Sequence, residues 1–304
     1  MTKMIQTVSG KVDPSVLGQT LIHEHVILDL SHIRQDSDPI LSDSEMLNNE
    51  LSHLAKAGCG GIVEVTNRGM GRDVLSLLSV SKKNNIPIVA ATGFYKEEYY
   101  PSEVFTMSEE EITDLFLKEL TEEIEDTGIK AGIISEIGSS LNEITRAEEK
   151  VFRAAIQAQK QTGAPLSTHC ELGTMGTAQL KLFAKAGSDL SKISIGHQDL
   201  NGNREEYVRL LEAGLYIQFD TIGKNNYRPE QERIEDLLFL LDKGYLNQIM
   251  LSTDVTKKSY LRVNGGFGYV YLLDNFIPSL QEKGISEKEI HIMTTDNPRR
   301  FLAY

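Results

Sequence analysis

Gly18-Gln-Thr-Leu-Ile-His-Glu-His25 is a short apolar run that stops at two histidines flanking a glutamate. Such a run reads as a buried strand, and the i, i+2 spacing turns both imidazoles to one face and Glu24 to the other. The same signature, an apolar run closed by a polar, glycine or charged residue, recurs along the chain. With Thr20–His25 it gives eight candidate strands: Gly61–Thr66, Ile86–Gly93, Ala131–Gly138, Pro165–His169, Ile193–His197, Leu215–Asp220 and Ile249–Asp254 follow.

Between these strands lie segments with helical spacing: 42–56, 71–84, 108–126, 146–162, 177–186, 204–213 and 229–243, with 269–282 and 286–302 closing the chain. Several end at a glycine just ahead of the next strand, as at Gly58, Gly187 and Gly214, the usual left-handed stop. Eight strand-helix units with nearly continuous apolar strands imply parallel pairing buried on both faces, and closure into a (β/α)8 TIM barrel removes the edges. The rival, an open doubly wound sheet, lacks support because no strand is followed by a G-x-G-x-x-G or Walker-type loop. Residues 1–304 read as one domain.

Composition narrows the function. The 304 residues carry 31 Lys and Arg against 44 Asp and Glu, a net charge of −13, which disfavours nucleic acid and anionic membranes as partners. Two cysteines, Cys59 and Cys170, form no framework or C-x-x-C pair and fit a reducing compartment. No run of about 18 apolar residues and no signal-peptide pattern is present, so a cytoplasmic location is expected.

Metal-ligand residue types sit at the C-terminal ends of five candidate strands: His23, His25, Glu136, His169, His197 and Asp254. In a closed barrel those ends converge on one mouth, where active sites lie. Four of the seven histidines occupy them; His32, His53 and His291 fall in a loop or in helical segments and serve as an internal control. Four imidazoles and two carboxylates exceed one tetrahedral zinc and suit two ions about 3.5–4 Å apart bridged by a carboxylate and a hydroxide. Glu136 has the two oxygens to bridge. Cys170 reads as a small buried residue facing away from His169.

The stretches Gly18–His25, Lys130-Ala-Gly-Ile-Ile-Ser-Glu-Ile-Gly138, Ser167-Thr-His169, Ile195-Gly-His-Gln-Asp199, Gln218-Phe-Asp-Thr-Ile-Gly223, Met250-Leu-Ser-Thr-Asp254 and Asn297-Pro-Arg-Arg-Phe301 together resemble the phosphotriesterase family of the amidohydrolase superfamily, closest to its phosphotriesterase homology branch. The resemblance implies a barrel with a binuclear centre, usually of zinc: His23, His25 and Asp254 around the buried ion, His169 and His197 around the exposed one. Glu136 stands where many relatives carry a carboxylated lysine. The implied reaction is hydrolysis of a small ester, lactone or phosphoester by a metal-bridging hydroxide, with Asp254 accepting its proton. An amide is the alternative bond, and a metal-stabilised barrel that only binds is the competing class; the intact ligand set speaks against the latter. Relatives are often homodimers.

Substrate contacts are sought in the loops. Thr221–Pro229 and Val255–Gly268 carry Lys224, Arg228, Lys257, Lys258 and Arg262 and no acid. Loops after strands seven and eight are the usual phosphate site of a barrel, so an anionic small-molecule substrate is expected on Lys224, Arg228 and Arg262. Tyr95 aligns with a tyrosine that faces the metals in lactonase relatives, and Thr221 stands where those relatives have arginine.

Overall fold

In the computed structural model, which describes residues 3–304, the eight expected strands form one parallel sheet. They are β1 (Gln19–Glu24), β2 (Cys59–Glu64), β3 (Ile88–Thr92), β4 (Ile133–Ser139), β5 (Leu166–Cys170), β6 (Ile193–Ile195), β7 (Tyr216–Phe219) and β8 (Ile249–Leu251). Helices α1 (Glu45–Lys56), α2 (Val74–Asn84), α3 (Glu109–Thr121), α4 (Arg146–Thr162), α5 (Gly176–Ala186), α6 (Arg204–Glu212) and α7 (Glu230–Asp242) connect them, so the chain is a single (β/α)8 barrel. Two antiparallel ribbons, Ile5–Thr7 with Gly10–Val12 and Leu28–Asp29 with Ile40–Leu41, flank it.

Strand alternation splits the apolar residues into two layers. Ile22, Val63, Val89, Ile133 and Met250 pack together in one cluster with Ile5, Leu17 and Phe301, whereas Leu21, Ile62, Ile88, Ile134 and Leu166 belong to the layer beneath the helices. Both layers are needed because a parallel sheet has no solvent-facing side. Helix starts are written locally. Ser108 with Glu111 and Thr145 with Glu148 form reciprocal capping boxes that satisfy the first free N–H groups of α3 and α4.

Several expected helices are shorter in the structure. The segment 42–56 becomes helical only at Glu45 and 71–84 only at Val74, because Ser44 and Asp73 are side-chain caps and so stand outside their helices. The segment 108–126 stops at Thr121, where Glu125 and Asp126 turn into the left-handed region. In 269–282 and 286–302 the backbone opens into wide π turns at Leu272–Phe276 and Ile292–Asp296, just ahead of Pro278 and Pro298. A proline has no N–H to close an ordinary turn.

The hydrogen-bonded ladder runs from β8 through β7 and onward to β1. Side chains join its two ends. The buried Glu24 carboxylate, turned away from the histidines as the sequence implied, accepts from Ser252 Oγ, Thr253 N and Thr253 Oγ1 at 2.7 Å each and from Val255 N at 2.9 Å. Ser252 Oγ in turn accepts from His23 N at 3.0 Å.

Candidate metal centre

Two local irregularities aim the first ligands. The register of β1 against β2 shifts between Leu21 and Glu24, and that of β4 against β5 shifts between Ile134 and Ile137, each inserting one extra residue. A bulge of this kind re-aims the side chains that follow it. Ile22 therefore packs in the barrel interior while its neighbour His23 also points inward, and Glu136 turns into the mouth between two isoleucines of the outer layer. His197 and Asp254 lie just past the ends of β6 and β8 with φ of +56° and +50°. Non-glycine residues rarely adopt this region, and such strain clusters at functional sites.

The six expected ligands converge. His23 Nε2 lies 3.3 Å from Glu136 Oε2, and His25 Nε2 lies 3.5 Å from Glu136 Oε1 and 3.4 Å from Asp254 Oδ1. On the other side of Glu136, His169 Nδ1 is 3.4 Å from Oε2, and the His169 and His197 rings meet edge to face at 4.5 Å. Among the described residues, His23, His25 and Glu136 form one group able to hold a metal ion, Glu136, His169 and His197 a second, and His23, His197 and Asp220 a third. His32, His53 and His291 are in none of them.

These donors fit divalent ions. Two ligands of one tetrahedral zinc with bonds of about 2.1 Å stand about 3.4 Å apart, which is the spacing found here. His23 Nε2 and Glu136 Oε2 are buried and have no hydrogen-bond partner, a costly state unless an electrophile lies between them. Charge points the same way. Burial would lower the basicity of His23, but the Asp220, Glu136 and Asp254 carboxylates outweigh it and raise its pKa to about 10. Burial would raise the Glu136 and Asp254 carboxyls; instead the imidazoles around Glu136, and Lys224 with His25 beside Asp254, hold both well below the carboxylate range. The site asks for positive charge.

The sequence reading missed the groups that fix each ring. Gln218 donates its amide Nε2 to Ser167 Oγ at 3.0 Å, so its Oε1 faces His23 Nδ1 at 2.9 Å and accepts that N–H. Nε2 of His23 is then left without a hydrogen, its lone pair free for a metal ion. Thr66 Oγ1 sits 2.8 Å from His25 Nδ1, Asp220 Oδ1 sits 2.8 Å from His197 Nδ1, and Glu171 Oε2 sits 3.0 Å from His169 Nε2. Such partners set tautomer and orientation. One signal was available: Glu171 and His169 are i, i+2, the same spacing as His23 and His25.

Above the ligands lies a cavity of about 330 Å³ lined by Arg34, Tyr95, Lys96, Glu171, Tyr227 and Lys224 among others. Tyr95 lines the cavity with its hydroxyl 3.2–3.3 Å from both nitrogens of His169. Lys224 also lines the cavity, but its ammonium is buried against Asp254 Oδ2.

The two arginines lie apart from the cavity lining. Arg228 lies outside the cavity, bound to Asp236 at 2.7 Å and Glu232 at 3.0 Å. Arg262 is exposed on a turn outside it. Lys258 and Lys257 are engaged elsewhere, the first with Ser37 O and the second over the Tyr260 ring. The acid-free loops looked cationic because their carboxylate partners come from α7 and from other segments.

Residues 3–302 match the phosphotriesterase family. The chain belongs to it. Among family relatives, the phosphotriesterase homology protein of Escherichia coli (strain K12) is 43% identical over 289 residues, covering 95% of this chain and 98% of that one. Its crystal structure, with phosphate in the active site, matches at a TM-score of 0.93 over 96% of this chain and 100% of that chain. A lactonase from Listeria monocytogenes matches at 0.93 with 30% identity over 98% of each chain. The N-acetyltaurine hydrolase of Rattus norvegicus is 28% identical, covering 99% of this chain and 98% of that protein.

Proposed function

We propose that this phosphotriesterase-family protein is a hydrolase that uses two divalent metal ions, zinc by its nitrogen and oxygen ligand set, to cleave an ester, lactone or phosphoester bond in a small anionic substrate. The observation that carries this reading is the buried Glu136 carboxylate between two imidazole pairs, with one oxygen and the facing His23 Nε2 both unpartnered. When bound, the metal pair supplies a water acidic enough to react near neutral pH and an electrophilic site for the substrate oxygen. His23, His25 and Asp254 would hold the inner ion, His169 and His197 the outer one, and Glu136 both.

The chain's own groups divide the remaining work. Asp254 keeps one oxygen on the His25 side while Lys224 holds the other, so the carboxylate is ionised and would be the group that takes the proton of the attacking water, with Lys224 tempering its basicity. The Tyr95 hydroxyl, beside His169 at the cavity floor, is placed to donate to the substrate oxygen. Of the cavity's cations, Lys224 is engaged by Asp254 and Lys96 by Glu171. Arg34 stacks near Tyr99, donates to its hydroxyl and has no carboxylate partner among the described residues. It is the group to receive a substrate anion.

A second reading, amide hydrolysis, is favoured by the relative named for N-acetyltaurine, whose substrate joins an amide to a fixed negative charge. Metal content and turnover test both readings. Wild type should carry about two ions per chain by plasma mass spectrometry and Glu136→Ala fewer; one or none in metal-supplemented wild type refutes the proposal. Lactones, esters, phosphoesters and N-acyl amino acids then decide the bond. Arg34→Ala should raise KM about tenfold for anionic substrates, the loss of one charge-assisted contact, and leave neutral analogues unchanged.

A further inference from the structure

His169 is the one imidazole of the four whose outer nitrogen faces the open cavity rather than the interior. Its Nδ1 faces Glu136, so with a metal ion on Nδ1 the proton would sit on Nε2, which points outward to Glu171 Oε2 at 3.0 Å. The same oxygen receives Lys96 Nζ at 2.6 Å. Two donors thus converge on one carboxylate oxygen. The placement follows from the chain: His169 and Glu171 flank the buried Cys170 on one side of β5's end, and Leu172, at φ +49°, turns the backbone away immediately afterwards.

Lys96 is carried by the same loop that presents Tyr95. Gly138 N donates to Tyr95 O at 2.7 Å, and a Cβ at residue 138 would lie only 2.7 Å from that oxygen, so this close approach of the loop to β4 depends on glycine. One loop therefore sets both the Tyr95 ring against His169, at 4.6 Å between centroids, and the ammonium against Glu171.

We propose that Glu171, clamped by Lys96, is a positioning residue: it fixes the tautomer and the rotation of His169 and thereby sets the affinity of the outer metal site. The inference rests on the two-metal reading above. The pair differs from an ordinary surface ion pair, worth little on its own, because its shared oxygen is also the acceptor of a ligand's N–H. Partners of this kind change metal affinity about 10–100-fold when removed.

The test uses the full-length protein stripped of metal, in wild type and in Glu171→Ala, Glu171→Gln and Lys96→Met variants. Zn2+ uptake is followed by calorimetry, Co2+ uptake by visible absorption, and folding by urea unfolding. The expected result is a two-step isotherm in which Glu171→Ala weakens only the weaker step, by about 10–100-fold, and alters the Co2+ band of that step. Glu171→Gln should recover most of the loss, since the two donors select its amide oxygen, and Lys96→Met should fall between.

The proposal is overturned if Glu171→Ala binds the second ion as wild type does, if both steps weaken together, or if Glu171→Gln is no better than alanine. A wild type that takes up no second ion overturns the two-metal reading and this one with it. Two ions in wild type with an indifferent Glu171→Ala overturns this one alone.

Discussion

The inner pair of imidazoles, His23 and His25, and the outer pair, His169 and His197, offer the same chemistry but are held by different means. The inner pair comes from one strand end, and its outer nitrogens meet the amide oxygen of Gln218 and the hydroxyl of Thr66, with Asp220 Oδ2 also 3.2 Å from His23 Nδ1. The outer pair comes from the ends of two strands, and its outer nitrogens meet the carboxylates of Glu171 and Asp220. A neutral acceptor alone serves only His25, whereas Asp220 lies against both His23 and His197 and Glu171 against His169. The carboxylates that position His169, His197 and, in part, His23 must themselves be braced. Asp220 is braced from behind: its N–H donates to Asp199 Oδ1 at 3.4 Å, and Asp199 is paired with the fully buried Arg233 at 2.7 Å, which also donates to Thr221 Oγ1 at 2.9 Å.

That bracing is where the contrast can be broken most severely. Arg233→Met should cost about 3–5 kcal/mol in urea unfolding, because it strands the Asp199 carboxylate in the interior without its partner. If the loss is within 1 kcal/mol of zero, on the order of a surface pair, Asp199 is not carrying a buried charge. Chelation comes next in size. Metal should leave in two phases, the ion on His169 and His197 first, because those rings line the cavity whereas His23 lies behind it; a single phase would erase the distinction between the halves.

The neutral acceptors give a finer measure. Gln218→Leu should weaken the tighter metal site by about tenfold, the low end for loss of such a partner, and leave the weaker site alone in a calorimetric titration. Equal weakening of both would mean that Gln218 supports the barrel rather than His23. The baseline for all of these is Lys83→Ala, which removes an exposed pair with Asp43 and should change unfolding free energy by less than about 1 kcal/mol.

The sequence carried the parts of this arrangement that depend on period and on residue type. Eight apolar runs marked the strands, glycines and caps marked the helix limits to within a few residues, and His23, His25, Glu136, His169, His197 and Asp254 could be read as a set because barrel strands end at a common mouth. What could not be read depends on register and on partners distant in the chain. The bulges that turn His23 and Glu136 inward leave no composition signal: strict alternation from Ile22 would have pointed His23 at the helices. Arg228 and Lys224 looked equivalent, two cations in one acid-free loop. Only the fold shows that Asp236 on the following helix takes one and Asp254 from the last strand's end takes the other.

The carboxylate seam between the first and last strands has a consequence for how the molecule comes into being. Glu24 is made early, but its acceptor oxygens find their donors only 228 to 231 positions later, in Ser252, Thr253 and Val255. Water serves the Glu24 carboxylate until then, and burying it without those donors would be costly. Contacts so distant in sequence are slow to form and leave intermediates exposed. The seam between first and eighth strands can therefore close only after residues 252–255 are in place.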